Sequence, residues 1–267
     1  MPQQPAWIEK VLSNKKYRAL NLTEETLLNL IDQVEADGVP KKQIEKTVRE
    51  KLHNIVAPYL EDVDYAAATL ELQAIKVEDT IALHHFAEKM LRAHTSTDER
   101  METLDAFYKT IAGKLPQKQN IRIADYACAM NPFAIQWMHL PMDSQFFAYD
   151  LNGARIDLLN LYFKKSGFQA KAIHCDIIAN PVQDTFDAAF FFKEAHRFEQ
   201  RQKGSTHRFL QTINAPLIFV SLPARNMTGK HDLVTKHTRI MEEAVAGMDW
   251  QMEIQEIGKE LLFIIRK

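Results

Sequence analysis

A chain of 267 residues with 46% hydrophobic and 25% charged side chains has room for one large or two small domains, in the composition of an ordinary globular protein. No apolar run approaches the roughly 18 residues of a membrane span, and none follows the charges of the first sixteen residues, so a cytoplasmic protein with no membrane partner is expected. The two cysteines, Cys128 and Cys175, cannot make a disulfide framework and have no metal-ligand spacing around them, so no metal site is expected.

Residues 5–115 read as almost entirely helical. Thr23-Glu24-Glu25-Thr26 starts a helix whose apolar stripe is Leu27, Leu28, Leu30, Ile31 and Val34, and Gly38-Val39-Pro40 ends it and begins the next. That next helix, 41–56, carries Lys41, Lys42 and Lys46 and is a candidate surface for RNA. Helical patterns continue over 64–74 and 77–93. Ser96 and Glu99 have the spacing of a capping box, which predicts a helix start and an apolar face through Met101, Leu104, Phe107, Tyr108, Ile111 and Leu115. Arg100 then sits in the first turn, where the helix dipole disfavours a cation, so an anionic partner is expected for it.

After Pro116 strands and helices alternate. Strands are predicted near 121–126, 145–149, 170–175, 186–192, 216–222, 250–256 and 259–265, and helices near 132–138, 152–166, 193–213 and 235–247. Such alternation predicts a mostly parallel sheet covered on both faces, closed by an antiparallel hairpin across Gly258. Asp125, Asp150 and Asp176 each end a predicted strand at one edge of that sheet. Between Asp125 and Asp150 lies a turn of small residues, Ala127-Cys128-Ala129, before Asn131-Pro132 starts a new segment. A strand, a tight turn, a helix, a strand and an acid make a nucleoside-binding unit, in which the second acid accepts hydrogen bonds from ribose hydroxyls. The architecture is that of a Rossmann-like S-adenosylmethionine (SAM) methyltransferase fold, a seven-stranded α/β sheet at 116–267 behind an all-helical domain at 1–115. A nicotinamide-dependent oxidoreductase fits less well, because the glycine fingerprint is missing.

The net charge of −2 conceals an asymmetry. Lys193 to Arg239 holds nine Lys/Arg against three acids, a local excess of +6 that suits a polyanion such as RNA. Lys193, Arg197, Arg201, Arg225 and Lys230 belong to it. The plainer alternative is a solvated helix face.

The stretch His94 to Arg100, the Asp125–Pro132 turn, Ala148-Tyr149-Asp150, Val220-Ser221-Leu222-Pro223 with Arg225 and Gly229-Lys230, and Gly258-Lys259-Glu260-Leu261 together resemble, in order and spacing, the aminoglycoside-resistance methyltransferases of small-subunit (16S) ribosomal RNA. The resemblance runs from about Lys15 to the C-terminus. It implies a helical extension that docks the small ribosomal subunit, SAM in the sheet crevice, and methyl transfer to a guanine N7. By it, Arg100 would meet the methionine carboxylate, Asp150 the ribose and Asp176 the adenine, with Asp125, Ala127, Asn131, Leu151 and Ile177 completing the cofactor site; Lys193, Arg225 and Lys230 would face RNA. Guanine N7 carries a free lone pair, so orientation without a general base would suffice. Cys128 reads as a small buried residue rather than a nucleophile.

The chain departs from that family at two places. Ala127 and Ala129 stand where glycines are usual, and a positive φ at either would cost an alanine about 1–2 kcal/mol. After Lys230, Leu233-Val234 and Thr235 to Thr238 replace a Gly-Met-aromatic segment. These departures are equally compatible with a relative that binds RNA without methylating it, and the fold with a methyltransferase of small molecules.

Overall fold

A computed structural model of the chain describes residues 7–18, 20–57, 63–225 and 232–267. Among the described residues eight α-helices precede the first strand: α1 Trp7–Leu12, α2 Lys15–Arg18, α3 Glu24–Ala36, α4 Ile44–Val56, α5 Tyr65–Ala74, α6 Thr80–Arg92, α7 Thr95–Asp98 and α8 Leu104–Ala112. Asp64 and Asp79 cap α5 and α6, their carboxylates accepting the Ala67 and Ala82 N–H groups at 3.0 and 2.9 Å. The helices divide by packing. Ile8, Val11, Leu27, Leu30, Val34, Val48, Leu52 and Val56 close a core of their own. Buried residues of α5, α6 and α8, among them Leu72, Phe86, Phe107 and Ile111, are continuous with one face of the sheet.

The expected capping box does not form. Ser96 lies inside α7 and its hydroxyl meets His94 Nδ1 at 2.7 Å, while His94 precedes the helix without capping it through a side chain. Arg100 falls in the break between α7 and a 3-10 turn at Met101–Thr103, so its chain position reflects a bend rather than a helix start.

The seven strands are β1 Arg122–Tyr126, β2 Gln145–Asp150, β3 Ala170–His174, β4 Ala188–Phe192, β5 Leu217–Pro223, β6 Gln251–Ile257 and β7 Glu260–Arg266, in spatial order β3-β2-β1-β4-β5-β7-β6. The first five are parallel; β7 runs antiparallel to both β5 and β6. The central strands are apolar on both faces because helices cover both. Ile123, Phe190, Phe192, Phe219, Leu262 and Ile264 face α5, α6, α8 and α9 (Gly153–Ser166). Ala124, Phe191, Ile218, Val220, Phe263 and Ile265 face α10 (Ala195–Arg201), α11 (Ser205–Thr212) and α12 (Val234–Val245).

The single helix predicted over 193–213 is two. Gly204, at φ 76°, breaks it, and the Glu199 carboxylate accepts the freed N–H groups of Gly204 (2.7 Å) and Thr206 (2.8 Å) to start α11. The predicted helix near 132–138 is a 3-10 segment, Asn131–Trp137. No helix among the described residues is long and apolar enough to cross a membrane.

Candidate active site

The strand order reverses between β1 and β4, and ligands of open α/β sheets bind at the carboxyl ends of strands beside such a reversal. There the chain forms a cavity of about 640 Å³. Its walls include Ala127 and Ala129 after β1, Asp150, Leu151 and Asn152 after β2, Asp176 and Ile177 after β3, and His196, Arg197 and Phe198 in α10. Leu20 and the end of α4, with Lys51, Asn54 and Ile55, close it from the helical side. Gly153 N donates to Leu20 O at 2.9 Å, joining that side to the start of α9.

The turn after β1 is held by its own backbone. Cys128 N donates to Tyr149 O at 3.0 Å and Asn131 N to Cys128 O at 2.9 Å. Ala127 and Ala129 have φ of 52° and 45°, so both occupy the left-handed region in which alanine costs about 1–2 kcal/mol. The tight path aims Ala129 N at Asp150, whose Oδ2 accepts it at 2.9 Å. Asp150 Oδ1 accepts Asn152 N at 2.9 Å, and Arg155 Nη1 donates to both carboxylate oxygens at 2.9 Å. Sequence reasoning missed Arg155, although its place one turn into the helix that follows a strand-end acid is a usable signal.

Asp176 Oδ1 accepts Ile178 N and Ala179 N at 3.0 and 3.2 Å, leaving Oδ2 buried with no hydrogen-bond partner among the described residues. Asn152 caps α9 through Oδ1, which accepts Arg155 N at 3.2 Å, and its Nδ2 is likewise unpartnered. An orphan acceptor and an orphan donor on one cavity wall suit a polar, hydrogen-bonding heterocycle such as a nucleoside. Burial and the neighbouring His237, Arg197, Lys236 and Lys193 push the His196 imidazole down to about 3, so it is neutral at physiological pH.

Arg100, Asp125 and Asn131 were expected in the same cofactor site; instead they form a buried polar network and none is among the residues lining the cavity. Arg100 is 2% exposed, and its fork is engaged by Glu260, with Nε–Oε1 and Nη2–Oε2 both 2.9 Å. Its Nη1 donates to Asn131 Oδ1 at 2.7 Å. The anion that Arg100 required is therefore supplied from the start of β7, and meeting a ligand carboxylate would require Glu260 to give way. Asn131 Nδ2 donates in turn to Asp125 Oδ2 at 2.8 Å. Burial pushes Asp125 up to about 8, against the opposing effects of that hydrogen bond and of Arg100. Burial would also raise Glu260, but Arg100 and Lys193 outweigh it and hold that carboxyl below its ordinary value.

Lys193 departs from its expected place facing RNA. It is 5% exposed, at φ 59°, with its ammonium 2.7 Å from Glu99 and 3.4 Å from Glu260. That ammonium is buried at the end of β4 and engaged by two carboxylates. Arg197 is partly exposed on the cavity rim, 3.7 Å from Glu194, and Arg225 is exposed, its backbone in an isolated antiparallel β-bridge with that of Asp232. Lys41, Lys42 and Lys46 are exposed at and before the start of α4. Lys230 and the side chain of Arg201 lie outside the described residues. Cys128 is buried and its thiol is raised well above its ordinary value by burial, which makes it inert as a nucleophile. Among the described residues no cluster of three or more His, Cys, Asp or Glu could hold a metal.

Comparison with known proteins leads to the same reading. The chain is 26% identical over 264 residues to a 16S rRNA (guanine(1405)-N(7))-methyltransferase of Serratia marcescens, covering 97% of each protein. It is 25% identical over 226 residues to the enzyme of the same description from Micromonospora rosea, covering 83% of this chain and 82% of that one. The 16S rRNA methylase RmtB superposes with a TM-score of 0.77 at 25% identity over 97% of this chain and 96% of RmtB. The fold of RmtF, solved with S-adenosyl-L-homocysteine, matches with a TM-score of 0.78 at 22% identity over 98% and 97% of the two chains. The profile of the FmrO ribosomal RNA methyltransferases matches residues 13–265, nearly the whole length, and the chain belongs to that family.

Proposed function

We propose that the protein transfers the methyl group of SAM to a guanine N7 of 16S ribosomal RNA within the small ribosomal subunit. The observation that carries the reading is the cavity at the ends of β1, β2 and β3, in which Asp150, Asp176 and the Ala127–Ala129 turn stand where a nucleoside cofactor is held in sheets of this order. Family membership and the names of the relatives supply the class of substrate.

The residues present fit SAM. Asp150 would hold the ribose diol, Asp176 with its spare Oδ2 the adenine amino group, and Ile177 the apolar face of the ring; the turn backbone would approach the sulfonium side. When bound, SAM supplies an electrophilic methyl group. The chain's part is to orient and to exclude water: guanine N7 attacks with an existing lone pair, so no proton has to leave first. Accordingly the buried thiol of Cys128 has no role to play, and the neutral His196 adds no positive charge to a reaction already carrying one. Residues 7–57, with a core of their own and exposed Lys41, Lys42 and Lys46, are the unit proposed to dock the subunit, and the +6 region supplies a second basic surface at Arg197 and Arg225.

The test is transfer of labelled methyl from SAM to purified small subunits, free 16S rRNA and whole ribosomes. Label in subunits that maps by strand cleavage to one guanosine N7 is expected. Absence of label from all three at saturating SAM would overturn the reading in favour of RNA binding without catalysis.

A further inference from the structure

An ionised carboxylate offers about four good acceptor positions, two on each oxygen. At Asp150 both oxygens are already engaged from within the chain, each by a backbone N–H and by one shared guanidinium nitrogen. Oδ1 takes Asn152 N and Arg155 Nη1; Oδ2 takes Ala129 N and Arg155 Nη1; each distance is 2.9 Å. The two backbone donors are fixed by the turn after β1 and by the start of α9, so a ligand cannot displace them without unmaking both. The guanidinium is the replaceable half. One nitrogen bridging both oxygens occupies the positions that two vicinal hydroxyls would take.

We propose that Arg155 is an internal competitor for the ribose site: it holds Asp150 in the free protein and must swing off the carboxylate for a cofactor ribose to bind. The proposal rests on the reading of the cavity as a SAM site. Arg155 is 2% exposed and lines that cavity, so the movement happens within the site itself. A further attachment lies outside the sheet. Nε donates to Tyr65 OH at 3.1 Å, at the first residue of α5, which anchors the guanidinium in its competing position. A loosened anchor should therefore favour the bound form without disturbing Asp150 or the turn.

The test is calorimetric titration of the whole protein with S-adenosyl-L-homocysteine, comparing wild type, Arg155→Met and Tyr65→Phe. Arg155→Met keeps most of the bulk and removes the donors. It is expected to lower the thermal midpoint of the free protein, since Asp150 loses its counter-ion, yet to bind the ligand roughly tenfold more tightly. Tyr65→Phe, which leaves the ion pair in place and should fold normally, is expected to bind severalfold more tightly. A residue of merely structural importance would not improve binding. Equal or weaker binding by Tyr65→Phe and by folded Arg155→Met, with wild type binding normally, overturns the competitor role alone. No binding by any of the three at millimolar ligand overturns the cofactor reading and the proposal with it.

Discussion

At the scale of single residues the end of β1 carries two built-in costs. Ala127 and Ala129 hold left-handed backbone that glycine would adopt freely, and their reward is the N–H that Ala129 aims at Asp150. Replacing either by glycine should raise unfolding free energy by about 1 kcal/mol, read as a higher urea midpoint at unchanged slope. A lower midpoint would mean that the methyl groups contribute more by packing than the backbone loses. Asp125 is the second cost. Its carboxyl is raised to about 8 in the folded chain from an ordinary 3.8, so the folded state keeps a proton that the unfolded state loses. Stability from this group is therefore complete below about pH 3.8, declines as pH rises, and is fully lost above about pH 8. Asp125→Asn should flatten that decline, and parallel urea midpoints for wild type and variant across this range would rule the ionisation out. Only the first was legible in the sequence: alanines in a turn that wants glycine are visible there, whereas the burial that perturbs Asp125 is not.

At the scale of elements, strands and their terminal acids were readable because apolar runs alternating with helices leave few arrangements open. What could not be read was which cations would be spent internally. Lys193 lies in the most basic stretch of the chain, yet the end of β4 turns it inward to Glu99 and Glu260, contacts 94 and 67 residues away in sequence. Helix α4 and the turn before it show the reverse case. Lys41 and Lys42 remain exposed, and Lys46 meets Glu50 at 3.9 Å with both side chains mostly in solvent, a pair of little energetic value. If this end docks RNA, Lys42→Glu with Lys46→Glu should weaken subunit binding and reduce the slope of log affinity against log salt by about 2. An unchanged slope would make it an ordinary solvated surface. The opposite end of α4 reaches the cavity through Lys51, Asn54 and Ile55, so one helix spans both surfaces.

At the scale of the whole molecule, the hairpin of β6 and β7 joins the sheet to the helices before it. Gly258, at φ 60°, lets the turn lie against Thr103, where an added Cβ would stand 2.7 Å from Thr103 Cγ2. Two residues later Glu260 neutralises Arg100 and Lys193 together. Glu260→Gln leaves two buried cations with one partly exposed carboxylate, Glu99, between them, and should cost about 3–5 kcal/mol, measurable by urea denaturation. Because this carboxyl is held below its ordinary 4.5, its contribution is present above that pH and is lost as pH falls through its lowered value. The resemblance marked both ends of this pair as motif residues, but nothing local in either segment joins them, since they lie 160 residues apart.

That separation has a consequence for how the protein is made. Arg100 leaves the ribosome long before Glu260 is translated, and closing so long a loop is slow. Until β7 docks, Arg100 lacks the carboxylate that engages its fork, and Lys193 has only one of its two. A chain cut short before Glu260 would leave Arg100 without its carboxylate and Lys193 with Glu99 alone, and is expected to be cut more readily by proteases. The carboxylate that neutralises the interior is thus supplied by the last of the seven strands, and the burial of Arg100 beside it waits on β7.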